Sequence, residues 1–236
     1  MYKTTNRIVV LDTETTGLEV ASGHRIIEIG CVEIVDRRTT GKVLHHYIHP
    51  EREIDPGAQA VHGISLEDLE GKPRFAELAD EILEFLTGAE IVIHNAAFDV
   101  GFLNAELARL EKPAVTTIAK VTDSLALARA QFQGKKNSLD ALCERLGVDN
   151  SGRTMHGALL DAQLLAEVYL ALTRGQSALS IDVEESSFGL QAAAAVSTGE
   201  MVVLAASEEE RAAHEQVLDS MAKKVAPIWR APALTS

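Results

Sequence analysis

Three short stretches of this sequence carry side chains suited to hydrolytic chemistry. In Leu11-Asp12-Thr13-Glu14-Thr15-Thr16-Gly17-Leu18, two carboxylates stand two residues apart at the end of an apolar run. In an extended chain such residues face the same way, so Asp12 and Glu14 project together. Two carboxylates about 4 Å apart repel by ~4 kcal/mol at an effective dielectric near 20, and no basic residue lies among them. The natural remedy is a divalent cation with oxygen ligands, magnesium or manganese. A second stretch, His94-Asn95-Ala96-Ala97-Phe98-Asp99, follows another apolar run and sets Asp99 near a helix start. A third, His156-Gly157-Ala158-Leu159-Leu160-Asp161, puts a carboxylate among leucines, where it is costly without a partner. Taken singly, each stretch also has an ordinary reading. Asp12 and Glu14 would form a solvated acidic turn, Asp99 a helix cap, His156 a solvent-facing side chain and Asp161 a helix-surface carboxylate.

The elements that must position these residues can be read from periodicity. Arg7–Leu11 reads as a central strand, apolar on both faces, and Ile26–Val35 and Val43–Ile48 as two more, joined by the polar connection 36–42. Residues 50–63 read as loop. Phe75, Leu78, Ala79, Ile82 and Leu86 share one helical face, and Gly88 follows as a stop. A short strand over Glu90–Ile93 precedes helices over Val100–Leu110, Ser124–Gln131, Ser138–Leu146 and Gly157–Thr173. Ser138 is a candidate N-cap, and His156 must lie at or before the last helix's start to share a site with Asp161. Hairpin strands followed by strand–helix alternation imply an α/β domain with a mixed sheet flanked by helices. Such sheets place sites at the carboxyl edge of central strands, where Asp12, Glu14 and Asp99 all fall.

The chain has 236 residues, 46% of them hydrophobic, enough for a substantial core. No apolar run approaches a membrane span, and the N-terminus lacks the pattern of a secretory signal. Cys31 and Cys143 lie far apart among apolar residues, which fits reduced core thiols in a cytoplasmic protein. The net charge of −13 argues against a protein that holds nucleic acid by its own electrostatic footprint. It leaves room for an enzyme that borrows positive charge from metal ions or is tethered to a partner that grips the strand.

Together the three stretches resemble, motif by motif, the DEDDh family of 3′→5′ exonucleases, and within it the epsilon (proofreading) subunits of bacterial DNA polymerase III. The likeness extends to Val61-His62-Gly63-Ile64, to Lys120-Val121-Thr122-Asp123-Ser124-Leu125-Ala126 and to Asn137-Ser138-Leu139-Asp140-Ala141-Leu142-Cys143. It covers residues 7 to 174 densely and returns at Ala212-Ala213-His214-Glu215 and Trp229-Arg230-Ala231. One position departs from the pattern, Gly57, where a relative carries a glutamate near the nucleotide. The resemblance implies a ribonuclease-H-like fold and hydrolysis assisted by two divalent cations, Mg2+ or Mn2+. It makes Asp12, Glu14 and Asp161 the metal ligands, with Asp99 assisting through water and His156 as general base. Asp12, Glu14, His62, Asn95, Phe98 and Asp161 become candidates for holding the terminal nucleotide. Phe98 has core packing as its alternative, and His94 reads as a structural, hydrogen-bonded residue. An RNA-directed exonuclease of the same family would carry the same five catalytic residues, and a bridging subunit without activity is the reading from another class.

The catalytic domain is expected over residues 1–174. Beyond it, 175–200 is rich in Gly, Ser and Ala and reads as a flexible linker. Gln176, Leu179 and Ile181 within it resemble a sliding-clamp motif, with a frayed helix end as the alternative. Residues 201–236 read as a polymerase-binding segment. Ser207 and Glu210 form a capping-box pattern, Ala213, Val217, Met221 and Val225 recur on one face of the helix that follows, and Trp229 is the chain's only tryptophan. Val217, Met221 and Trp229 are the expected contacts to the polymerase alpha (catalytic) subunit. The implied partners are thus the alpha subunit, the beta sliding clamp, possible company from a small theta-type subunit, and a single-stranded or frayed 3′ end of DNA.

Overall fold

A computed structural model describes residues 7–153, 155–174 and 206–222. The chain divides into two compact units, Met1–Val183 and Glu184–Ser236.

The first unit is built on one five-stranded sheet. Its strands are β1 (Arg7–Thr15), β2 (Ile26–Val35), β3 (Arg38–Tyr47), β4 (Glu90–Ile93) and β5 (Lys120–Asp123), in the order β3-β2-β1-β4-β5. β1 is antiparallel to β2 and parallel to β4, so the sheet is mixed, as expected. The helices are α1 (Pro56–His62), α2 (Phe75–Leu86), α3 (Ala96–Arg109), α4 (Val115–Ile118), α5 (Ser124–Gln131), α6 (Leu139–Leu146) and α7 (Ala158–Leu172).

Strand alternation sorts the core into two layers. Val9, Leu11, Ile29 and Cys31 face α2 and α3. Ile8, Val10, Val32 and Ile34 face α6 and α7. Full burial of each such side chain is worth about 1.5–3 kcal/mol. The same alternation puts Asp12 and Glu14 on the α7 side, continuing the row of Ile8 and Val10. α7 lies close to the sheet because of Gly30. A Cβ there would come within 2.3 Å of the Leu159 backbone nitrogen.

Several boundaries differ from the periodicity. β1 extends to Thr15, so Asp12 and Glu14 lie within the strand rather than after it. The β2–β3 connection is only Asp36-Arg37, both at positive φ, and β3 starts at Arg38. Polar residues 38–42 therefore belong to an exposed edge strand, where polarity is no bar to pairing. Helix α1 sits in the stretch read as loop, and Gly57 lies in its first turn with open space around it. α3 starts at Ala96 instead of Val100, with Asn95 in the left-handed region at φ 69°. β5 is short, polar at its start and gives no periodic signal.

In the second unit, α8 (Glu208–Ala222) begins at the expected capping box. The Ser207 amide donates to Glu210 Oε2 (2.8 Å) and the Glu210 amide to Ser207 Oγ (3.2 Å). Ala213, Val217 and Met221 are exposed. The proposed clamp motif Gln176, Leu179 and Ile181, the linker, Val225 and Trp229 lie outside the described residues. No helix among the described residues is long and apolar enough to cross a membrane.

Candidate active site

The site forms where the sheet opens. β4 pairs with β1 only as far as Val10. Beyond it the remaining edge of β1 is taken up by the first turn of α3: Asp99 Oδ1 accepts the Thr13 amide (3.1 Å) and the Thr13 hydroxyl (2.7 Å). Asp99 is thus one turn inside α3 and buried, not at the cap position. Asp161, also buried, comes from the first turn of α7. The start of α7 is fixed from the sheet. Gly157 offers no side-chain cap, and buried Glu28 of β2 accepts the Ala158 amide (3.1 Å) while its other oxygen meets His45 Nε2 (2.7 Å). His156 lies just before α7 with its imidazole about half exposed, Nδ1 3.3 Å from Asp161 Oδ2.

Asp12, Glu14, Asn95, Phe98, Asp99, Asp140, Arg153, His156 and Asp161 all line one cleft of about 300 Å³. Acids dominate it. Burial first, then the charges of Asp99, Glu14 and Asp161, push the Asp12 carboxyl well above its usual range. Burial and the charge of Asp161 raise Glu14 to about 8. Burial outweighs the Thr13 hydrogen bonds and raises Asp99 to about 6. Raised carboxyl values beside one another mark a site short of positive charge. Donor atoms of Glu14, His156 and Asp161 lie within 4.8 Å of one another, an arrangement able to hold a metal ion. Asp12 is outside that trio.

Sequence reasoning missed Arg153, the one lysine or arginine lining the cleft among the described residues. Arg153, 8% exposed, pairs bidentately with Asp161 (Nε–Oδ1 2.5 Å, Nη2–Oδ2 2.6 Å). It also reaches Asp140 Oδ1 (2.6 Å) and His156 Nδ1 (2.8 Å). These contacts hold its guanidinium above its usual range against the cost of burial. Its position three residues before His156 was the available signal.

The remaining candidates divide. Phe98 lines the cleft and also packs on Phe102, ring centroids 4.9 Å apart, so both of its readings hold. Asn95 is exposed at the rim, its amide donating to Asp123 Oδ1 (3.1 Å). His94 is hydrogen-bonded to Ser124 Oγ (3.0 Å), the structural part expected of it, though it too lines the cleft. His62 is buried and is not among the lining residues. Its Nδ1 accepts the Ile64 amide (3.0 Å), while Nε2 has no hydrogen-bond partner.

Residues 9–169 match the exonuclease (RNase_T) family model. The chain is 52% identical over 237 residues to DNA polymerase III subunit epsilon of Escherichia coli (strain K12), covering 95% of this chain and 98% of that one. Exonuclease X in complex with 5′ overhanging duplex DNA superposes with a TM-score of 0.56 at 25% identity, covering 72% of this chain and 93% of that one. The nuclease domain of 3′hExo, a DEDDh family member bound to rAMP, shares the fold (TM-score 0.62, 18% identity, coverage 72% and 93%). A cleft in which Asp12, Glu14, Asp99, Asp161 and His156 meet, on a fold shared with these nucleases, agrees with the sequence likeness along nearly the whole chain: it belongs to the exonuclease family and, within it, to the DNA polymerase III epsilon subunits.

Proposed function

We propose that this chain is the proofreading 3′→5′ exonuclease of a replicative DNA polymerase, releasing nucleoside 5′-monophosphates from a mispaired 3′ end. The observation that carries this reading is the convergence of Asp12, Glu14, Asp99, Asp161 and His156 on one cleft from β1, α3 and α7. Asp12, Glu14 and Asp161 are the ligands for two divalent cations, magnesium or manganese, with Asp99 acting through water. The cations fit because the acids are crowded and already draw in a guanidinium. When bound they supply Lewis acidity toward the attacking water and the leaving 3′-oxygen. His156 takes the proton of the attacking water as general base. Arg153 must release Asp161 before that carboxylate is free to serve. Phe98 supports the terminal base or sugar at the cleft wall, and Asn95 lies at its rim. His62, expected to touch the nucleotide, is buried off the cleft wall and accepts the Ile64 amide instead.

The test is degradation of a 3′-mismatched DNA primer, a matched primer and an RNA oligomer of equal length, with magnesium or manganese and with chelator. Metal-dependent hydrolysis fastest on the mismatched primer is expected. Preference for RNA would move the chain to the RNA-trimming branch, and no hydrolysis of any substrate would leave only a bridging subunit.

For partners, the tail is assigned to the polymerase III core. Met201 to Trp229 docks on the alpha subunit, Val217, Met221 and Trp229 being the anchors. Exposed Val217 and Met221 support this, as does the marginal stability of so short a helix alone. Gln176, Leu179 and Ile181 address the sliding clamp. A Gly-, Ser- and Ala-rich tether of about 25 residues would reach ~25–30 Å, keeping the nuclease near the primer end despite its net charge. Truncation after Arg174 is expected to preserve activity on short single strands and to abolish co-purification with both alpha and the clamp. Alanine at Gln176, Leu179 and Ile181 is expected to remove only the clamp. Retained co-purification of the truncated chain would refute the tether.

A further inference from the structure

Beside the acidic cleft lies a larger groove of opposite character, about 630 Å³ in volume. It shares His94, Asn95 and Ser138 with the cleft, so the two are continuous. Its further lining includes Arg129, Lys135 and Asn137. Arg129 and Lys135 are exposed, and among the described residues neither is recorded in an ion pair. Such cations are notable in a chain of net charge −13.

The loop that carries Lys135 is held in shape from below. Residues 132–137 connect α5 to α6, turning at Gly134 with φ 69°. Asn137, buried, donates from Nδ2 to the carbonyls of Phe132 (3.3 Å) and Lys135 (3.1 Å). Arg145 of α6 locks the other side. Its Nη1 donates to Asn137 Oδ1 (3.1 Å), its Nη2 to the Lys136 carbonyl (2.7 Å), and its guanidinium lies over the Phe132 ring at 4.7 Å. A loop fixed this way presents its lysine without the ordering cost that a free loop would meet on binding.

We propose that this groove is a subsite for the DNA strand 5′ of the nucleotide being removed, with Arg129 and Lys135 each contacting a backbone phosphate. The inference rests on the nuclease reading and extends it. A strand whose last nucleotide occupies the acidic cleft must leave that cleft, and the continuous groove gives it a path lined by cations. The division of labour follows from charge. The cleft repels phosphate until cations fill it, while the groove attracts phosphate by itself, so the groove anchors the strand while the cleft performs the cut.

The full chain with manganese separates the two sites. The p-nitrophenyl ester of thymidine 5′-monophosphate occupies the cleft alone, whereas a thymidine hexanucleotide reaches the groove as well. Arg129→Gln with Lys135→Gln is expected to leave hydrolysis of the ester unchanged and to raise KM for the hexanucleotide at least about tenfold at constant kcat. The slope of log KM against log salt is expected to fall by ~1.4, since each single-strand phosphate contact contributes ~0.7. Arg145→Gln, which loosens the loop without removing a groove cation, is expected to shift KM the same way to a smaller extent. Unchanged KM and salt slope in the double variant would overturn the subsite. A wild-type chain that hydrolyses neither compound would instead overturn the nuclease reading, and the groove's role with it.

Discussion

Asp161→Ala is expected to abolish hydrolysis, to below about 10⁻³ of wild type, equivalent to ~4 kcal/mol of lost transition-state stabilisation. Asp12→Ala is expected to do the same. In chelator, however, their melting temperatures should move in opposite directions. Asp161 is the bidentate partner of Arg153, and removing it leaves the guanidinium with Asp140 as its remaining carboxylate. Leaving a buried charge wholly unpaired costs about 3–5 kcal/mol; with Asp140 retained the loss is smaller, and a fall of roughly 3 °C or more is expected for a domain of this size. Asp12 has no such partner and crowds Asp99, Glu14 and Asp161, so its removal relieves repulsion and should raise the melting temperature. The sign of the pH effect follows from the same crowding. Glu14 and Asp99 titrate higher in the folded chain, at about 8 and about 6, than their ordinary 4.5 and 3.8. Between those limits the folded state binds more protons than the unfolded one, so stability falls as pH rises. Metal-free wild type should therefore melt progressively lower from about pH 4.5 to about pH 8, and saturating magnesium should flatten that slope. Wild-type turnover by either variant would remove the carboxylates from metal binding, and a pH-independent melting temperature in chelator would contradict the crowding.

The second large effect is expected at His156. His156→Ala should lower kcat by roughly 10²–10⁴-fold, the range for general acid–base catalysis. A base must begin unprotonated, so wild-type activity should decline at acid pH, and the alanine variant should lose that part of the profile. The geometry supplies a competing role, because His156 lies with Glu14 and Asp161 in the trio able to hold a metal. Manganese binding measured by calorimetry decides between them. A base leaves the affinity nearly unchanged, whereas loss of a ligand weakens it together with kcat. A pH–rate profile unaltered by the substitution would dispose of the base.

Local sequence pattern was enough to read the carboxylate set and the mixed α/β topology class. Asp12 and Glu14 two apart on an apolar strand, Asp99 after another strand, and His156 ahead of a helix bearing Asp161 were all legible. Each depends only on local period and on the side chain's own nature. The apolar face of α2 and the Ser207–Glu210 cap were legible for the same reason. Relations between distant elements emerged only on packing. Polar β5 became a strand because β4 offered it an edge. Glu28, read simply as part of a strand, became the cap of α7 across 130 residues. Arg153 became the counter-charge of the acidic cleft because the turn before α7 folds its guanidinium back onto Asp161. The cationic groove exists because α6 holds the 132–137 loop against the rim of that cleft. Local patterns are set by neighbours along the chain, whereas compensation of a buried charge depends on which groups meet in space, and that is fixed only when the layers pack.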